Sequence, residues 1–447
     1  MSMYKYPYKV SFIRFLKRSS EIAKNPIPFH KSLFLESDSN SFSIKPFFAK
    51  PIILTKDAMM AREILQKKHK SFEKSKLQTH KLSKYVGYGL LTSTGSYWLQ
   101  QRRLIQPAFH KEKVNSLLQI ISETIQKEVA IFKRDEFLPL YPIMNALAFE
   151  VIAKSLFNYS ASKEILERLQ FIIEKLQRFI VKDIRQPHKR LWYHLKGEVR
   201  ESLNLVKESR SIINAIIEER RKSKDFHDDL LDMLLHSEYE DGSKMTNNQL
   251  IDEILILFVA GHETTANALT FTLFLLANHP KVLSKVKQEA INFETENVSF
   301  QSFSTLQYTK QCIEESMRLY PPAWITDRVA LEDQAIGDFY LKKGTMIGVS
   351  IYEMHRNTEY WTQAESFNPD RFSELNKKAT SQYYMPFGAG PRLCIGNNFA
   401  MYEMMLVLQA IVLKYSIETN SDSIDINPLI TLKPVGAELK FSKLQCD

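Results

Sequence analysis

The sequence predicts a mainly α fold with a small β lobe, on three observations. From about Ser96 to Leu319, apolar residues recur every third or fourth position with charges between them, which is the period of amphipathic helices. Runs rich in β-branched and aromatic residues are short and lie outside that region, at Phe47 to Leu54 and Thr345 to Ile351, and these read as strands. The longest apolar stretch begins at Thr246 and ends before Pro280, and it reads as one buried helix. A chain of 447 residues would ordinarily divide into two or three domains. Here no linker rich in Pro, Gly or Ser interrupts it, only 13 glycines are present, and no internal repeat or low-complexity tract is visible.

Taken in order, the helical body opens with Trp98 and Arg102, which share a helix face and can both reach one carboxylate. Val114 to Phe132, Tyr141 to Phe157, Lys163 to Ile184 and Val199 to Lys222 follow as amphipathic helices. In the long apolar stretch, Thr246 and Gln249 fit a capping box, Ile254 to Ala260 is an unbroken apolar run, and Asn278-His279-Pro280 supplies a stop. Its length approaches that of a membrane span, but Asp252, Glu253, His262 and Glu263 would be costly in lipid, so a central buried helix is expected. Midway along it, Gly261 costs about 1 kcal/mol relative to alanine, and Glu263 followed by Thr264 is unfavourable among apolar neighbours unless used. Downstream, Glu315 and Arg318 share a helix face, Leu319-Tyr320-Pro321-Pro322 ends that helix, and Phe367-Asn368-Pro369-Asp370-Arg371-Phe372 follows.

The three cysteines, Cys312, Cys394 and Cys446, are an odd number without a pairing frame, which points to a reducing compartment. Cys312 reads as a small buried hydrophobe and Cys446, in the polar tail, as incidental. Met1 to Lys9 has neither the apolar run of a membrane anchor nor the core of a signal peptide, so a cytoplasmic protein without an integral membrane segment is expected. A formal charge of +9, without aromatic interleaving or a basic-helix pattern, argues against a nucleic-acid partner. It suits a docking face for an acidic electron-transfer protein.

Chemistry concentrates in Phe387-Gly388-Ala389-Gly390-Pro391-Arg392-Leu393-Cys394-Ile395-Gly396. A cysteine in a glycine-rich bend, with an arginine two residues before it and a glycine two after, is what a thiolate ligand to a metal needs. The glycines let backbone N–H groups turn toward the sulfur and stabilise the anion, and Arg392 adds a fixed cation. That combination suits an iron porphyrin, whose iron accepts a cysteine thiolate and whose propionates need cationic partners.

This segment resembles the haem-binding loop of the cytochrome P450 family, Phe-Gly-x-Gly-x-Arg-x-Cys-x-Gly, complete here at Phe387, Gly388, Gly390, Arg392, Cys394 and Gly396. Ala260-Gly261-His262-Glu263-Thr264 is similar to that family's oxygen-activation motif, Trp98 and Arg102 to its Trp-x-x-x-Arg helix, and Glu315, Arg318 and Arg371 to its Glu-x-x-Arg helix and meander. The resemblance spans about Gly89 to the C-terminus in the family's order. It implies a cytochrome P450 fold: one domain over 1–447, with a β-rich part at about 30–90 plus 320–360, a helical body at about 95–320 and 360–415, and the long central helix over a buried haem b (iron protoporphyrin IX).

The resemblance also implies roles. Cys394 would ligate the iron, with Trp98, Arg102, Ala260, Gly261, Arg328, Phe387, Arg392 and Gly396 against the cofactor. Arg102, Arg392 and Arg328 would take the propionate charge, with His355 nearby. Glu315, Arg318 and Arg371 would form a buried network that holds the cysteine loop. Glu263 and Thr264 would be the catalytic pair: cleavage of O2 needs two protons in a dry pocket that does not release hydrogen peroxide, and a hydroxyl fed by a solvent-connected carboxylate supplies them. Gly261 would let the helix open beside Thr264. His262 occupies the position the family leaves free and reads as packing.

The implied activity is monooxygenation, in which one atom of O2 enters a C–H bond of a small lipophilic substrate of fatty acid, terpenoid or carotenoid type. Val259, Ala260, Ala323, Trp324 and Ile325 are the expected pocket walls. Electrons would come from NAD(P)H through a separate ferredoxin or flavodoxin and its reductase, since no flavin or iron–sulfur domain follows Cys394, and a monomer is expected. Oxidative O-demethylation of a small methoxylated compound, or peroxide-using or isomerising chemistry on the same fold, are the alternatives, with a non-catalytic haem sensor as the rival from another class. The intact Glu263-Thr264 pair argues against the peroxide-using, isomerising and sensor readings. The segment 185–196, with Lys189, Arg190, Leu191, Trp192, Tyr193 and Lys196, suits peripheral contact with an anionic membrane surface, against the competing reading of a solvated connection between helices.

Overall fold

A computed structural model describes residues 5–45, 50–158, 163–223, 227 and 229–444. Cys446 and Phe47 to Ala49 of the first expected strand lie outside them. The capping box expected at Thr246 is present: Gln249 Oε1 accepts from the Thr246 N–H at 2.7 Å and Thr246 Oγ1 accepts from the Gln249 N–H at 3.3 Å, starting a helix of 31 residues, Asn247–Ala277. Helix Leu140–Phe157 lies along it, with Phe149 and Phe157 stacked on Phe258 at 5.1 and 4.7 Å between ring centroids. Both helices are long and apolar enough to cross a membrane, but 67% and 83% of their apolar windows are buried inside the protein, which makes them core helices.

Around this pair stand Gly95–Ile105, Lys111–Ala130, Lys163–Arg185, Glu198–Lys222, Pro280–Ile291, Gln307–Leu319 and Asn397–Lys414. The helical period does what it promised: Lys111–Ala130 buries Val114, Leu118, Ile121, Ile125 and Val129 along one face, each contributing roughly 1.5–3 kcal/mol by leaving water. The small lobe is a six-stranded sheet. Its strands run, edge to edge, Tyr8–Val10, Ser41–Ile44, Ile52–Thr55, Met346–Ser350, Ile325–Ala330 and Phe72–Glu73. Ile53 pairs with Ile347 in the parallel step that joins the two ends of the chain.

Two features were not foreseen. Helices Phe12–Lys17, Ser19–Lys24 and Ile27–Ser37 precede the second strand of the lobe. Beyond Lys414 the chain forms strands Tyr415–Thr419 and Glu438–Lys443, paired with Phe137–Pro139, and a hairpin Asp425–Pro428 with Leu432–Val435. That hairpin carries Thr431 to the central helix, where Asn267 Nδ2 donates to its Oγ1 at 3.0 Å.

Candidate active site

The cysteine loop is closed on itself. Cys394 N–H donates to Phe387 O at 3.0 Å and Leu393 N–H to Gly390 O at 2.9 Å. Gly388 and Gly390 adopt φ of 79° and 69°, the left-handed region that disfavours a side chain. At Gly390 a Cβ would also lie 2.1 Å from the Leu65 carbonyl oxygen, so the loop presses its backbone onto the 63–67 turn. Helix Asn397–Lys414 starts immediately after Gly396, which aims a helix N-terminus at the sulfur. Cys394 is exposed by area but lies deep in a cleft, where burial pushes its thiol up while the Gly396 N–H and the Arg102 charge pull it down.

A second accessible surface faces inward. Leu250 to Phe258, apart from Asp252, and Thr265 to Leu276 are buried, yet between them Ala260 is exposed and Val259, Gly261 and Thr264 are only half-buried. A bare alanine midway along the most buried helix, like an accessible cysteine in a rigid loop, is what remains when a flat group that covers both is taken away. The residues therefore fit a haem: Cys394 would hold it, and the Ala260 to Thr264 stripe would lie against it. Phe387 and Gly396 are half-buried in the loop beneath it.

Cations complete the fit. The Arg392 guanidinium lies 4.1 Å from the Trp98 ring centroid and Nη1 donates to Ser93 O at 3.0 Å. Arg102 Nη1 donates to Leu393 O at 2.9 Å, Arg328 Nη1 to Asp327 O at 2.7 Å, and Lys74 Nζ to Leu91 O. Among the described residues none of these four cations forms an ion pair with a carboxylate, and the charges of the others lower Arg392 and Lys74. Burial first, then Arg328 and Arg102, brings Arg392 down to about 10; burial, then Arg392 and Arg328, lowers Lys74. Two propionates would relieve that excess charge. Lys74 was missed from the sequence, where a single lysine carries no signal.

His355 does not join them. Its Nε2 accepts from the Met385 N–H at 2.9 Å, its ring stacks on Tyr384, and burial followed by the Arg318 charge pushes its pKa down to about 3. It belongs instead to the network under the loop. Arg318 Nε and Nη2 donate to Glu315 at 2.7 and 2.9 Å, Arg371 Nε donates to the same carboxylate at 3.3 Å, and Arg318 Nη1 reaches the His355 and Ala364 carbonyls at 2.8 and 2.7 Å.

Thr264 and Glu263 point apart. Thr264 Oγ1 donates to Ala260 O at 2.8 Å on the accessible face. Glu263 is 2% exposed, has no hydrogen-bond partner for either oxygen, and faces Lys433, Gln177 and Thr431. Burial raises its pKa, against the Lys433 charge and the Gln177 and Thr431 side chains, which lower it. Lys433 lies 4.0 Å from Glu174, which is itself 3.8 Å from the largely exposed Arg178, so the acid has a polar path to solvent. The helix is unbroken at Gly261: a Cβ there would sit 2.4 Å from Ile152 Cδ1, so the glycine serves close helix packing where a local opening was expected. His262 packs, edge-on against Phe149 at 5.0 Å.

Of the expected pocket walls, Val259, Ala260 and Ala323 are accessible. Trp324 is not a wall, and Ile325 is half-buried. Trp324 is 4% exposed, donates to Leu429 O at 3.1 Å and packs with Ile27 and Phe271, while Ile325 lies against the Leu54 side of the sheet. Their place just after the Tyr320-Pro321-Pro322 stop says nothing about which face of the following strand turns to the cleft. In the 185–196 segment, a short helix Arg190–Leu195 buries Tyr193 and leaves Leu191, Trp192 and Leu195 74%, 55% and 73% exposed.

The cytochrome P450 family model matches residues 39–441. The chain is 30% identical over 421 residues to 11-oxo-beta-amyrin 30-oxidase of Glycyrrhiza uralensis, covering 88% of this chain and 79% of that one. It is also 30% identical over 338 residues to cyclooctat-9-en-7-ol 5-monooxygenase of Streptomyces melanosporofaciens, covering 75% and 74%. The fold superposes on the crystal structure of the cytochrome P450DA heme domain with a TM-score of 0.84 over 94% of both chains, at 22% identity.

Proposed function

This chain belongs to the cytochrome P450 family and is a cytochrome P450 monooxygenase, and we propose that it hydroxylates a lipophilic, terpenoid-type substrate with electrons from separate redox partners. The observation that carries the substrate reading is the accessible stripe of Val259, Ala260 and Thr264, apolar except for one hydroxyl, midway along an otherwise buried helix. The relatives named as an amyrin oxidase and a cyclooctatenol monooxygenase point to the same substrate class.

Haem b, when bound, supplies O2 binding and oxidation of the C–H bond; overall the substrate C–H and O2 take two electrons and two protons to give an alcohol and water. Cys394 would hold the cofactor, and Lys74, Arg102, Arg328 and Arg392 would offset its propionate charge. Glu263, whose pKa burial raises, would relay protons, with Lys433 and Glu174 between it and solvent, and Thr264 Oγ1 keeps a hydroxyl on the accessible face. Electrons come from NAD(P)H through a ferredoxin or flavodoxin and its reductase. The protein works in the cytoplasm as a monomer, with Leu191, Trp192 and Leu195 touching anionic lipid; equal vesicle binding by the parent and Trp192→Ala would remove that contact.

The test is reconstitution with a ferredoxin pair, measuring product formed per NADPH consumed. The parent should convert terpenoid substrate with a high ratio, and Thr264→Ala should divert electrons to hydrogen peroxide while keeping substrate binding. An unchanged ratio in Thr264→Ala removes the role of that hydroxyl. Exclusive O-demethylation of methoxylated compounds replaces the substrate reading.

A further inference from the structure

A notch opens beside the accessible stripe, between the Ser83–Val86 turn, helices Lys163–Arg185 and Glu198–Lys222, and the central helix. Its free volume of about 10 Å³ holds a single water-sized group. Val86, Leu176, Leu255 and Val259 make its wall apolar, and Gln177 and Ser209 add polar atoms. Ser209 Oγ is already spent on Val206 O at 2.9 Å. Gln177 is 4% exposed and its side chain neighbours the Glu263 carboxyl, but among the described residues its Nε2 has no partner in good hydrogen-bond geometry. A buried amide left unpaired is a cost that an oxygen atom in the notch removes.

The helix connects this notch to the chemistry. Leu255, Val259 and Glu263 follow one another at four-residue steps on one face, and Ala260 and Thr264 occupy the adjacent face. Notch and stripe therefore meet at Val259 and Ala260. Leu255 and Val259 lie roughly 7–14 Å along the axis from Thr264, at about 1.5 Å per residue.

We propose that the notch receives a hydroxyl carried by the substrate, with Gln177 as its hydrogen-bond partner, so that the enzyme takes apolar alcohols and oxidises them at the far end of the skeleton from that hydroxyl. This rests on the lipophilic-substrate reading above. A hydroxyl both donates and accepts, so it satisfies either orientation of the Gln177 amide. A carboxylate would bring an ion into an apolar wall beside Glu263, which costs far more than the notch can return. The room for one heavy atom excludes a larger polar head.

The experiment uses haem-loaded protein and the shift of haem absorption on ligand binding, with geranylgeraniol and the hydrocarbon in which its CH2OH is replaced by CH3. The alcohol should bind roughly tenfold more tightly, the size of one net hydrogen bond. Gln177→Leu, of similar volume, and Ser209→Val, which fills the notch and keeps the Gln177 amide, should each bring the two affinities to within about twofold of each other, leaving hydrocarbon binding in place. Equal affinities in the parent, or an undiminished preference in both variants, overturn the notch and leave the lipophilic pocket standing. No spectral response to either compound overturns the lipophilic reading and the notch with it.

Discussion

Replacing Glu315 by alanine removes the only carboxylate that Arg318 touches among the described residues, and both side chains are 0% exposed. The oxygens lost accept from Arg318 Nε and Nη2 at 2.7 and 2.9 Å, from the Asn368 N–H at 2.9 Å and from Arg371 Nε at 3.3 Å. Arg318 would keep the carbonyls of His355, Ala364 and Ser366, which solvate a guanidinium without neutralising it. Stranding that charge costs roughly 3–5 kcal/mol, and leaving the Asn368 N–H unpaired adds about 1–3 kcal/mol. Against a total stability of roughly 5–15 kcal/mol this is a large share. The damage is directed, because His355 anchors Met385, at the base of the cysteine loop, through its Nε2. The assay is the denaturant midpoint of purified protein together with its haem content. Glu315→Gln, which keeps an oxygen for Asn368, should fall between parent and alanine. A loss below about 0.5 kcal/mol in Glu315→Ala, the level of an exposed ion pair, with normal haem content, would refute the reasoning.

Glu253 should set part of the pH dependence of stability. It is buried, accepts from the Leu90 N–H at 2.9 Å, and burial raises its pKa from 4.5 to about 7. The folded state thus holds a proton that the unfolded chain has already lost, so stability falls as pH rises from 4.5 through 7, by about 3 kcal/mol in all. Glu253→Gln keeps the acceptor and should flatten that slope, and parallel pH profiles for parent and variant would contradict it. Lys74→Met should speed haem loss to an excess of apomyoglobin several-fold by removing one of four unpaired cations; an unchanged rate would separate Lys74 from the propionates.

What the sequence made legible depended on how the signal was stored. The loop around Cys394 was readable because its chemistry is local: glycines, arginine and cysteine at fixed spacing need no tertiary information. The long helices were readable because Val114 to Val129 or Leu250 to Leu276 repeat one period over many turns. Gln177, Lys433 and Lys74 were invisible because each reaches the site from a separate element and carries no pattern of its own. Gly261 misled for a related reason. A helix-interior glycine signals that something comes close, and only the fold identifies it as Ile152. Trp324 was placed by the correspondence of Pro322 to Arg328 with a pocket-shaping region of the family, whereas its ring packs on Ile27 and Phe271 and donates to the Leu429 carbonyl. His355 was assigned to the propionates by its charge type, but complete burial keeps it neutral and uses its Nε2 as an acceptor.

The account stands on Cys394 as the thiolate that holds haem in the cleft, and the carbon monoxide spectrum of the reduced protein tests it directly. The parent should give the red-shifted absorption band of a thiolate-ligated haem, and Cys394→Ser should lose it. Persistence of that band in Cys394→Ser, or its absence from haem-loaded parent protein, would contradict the assignment.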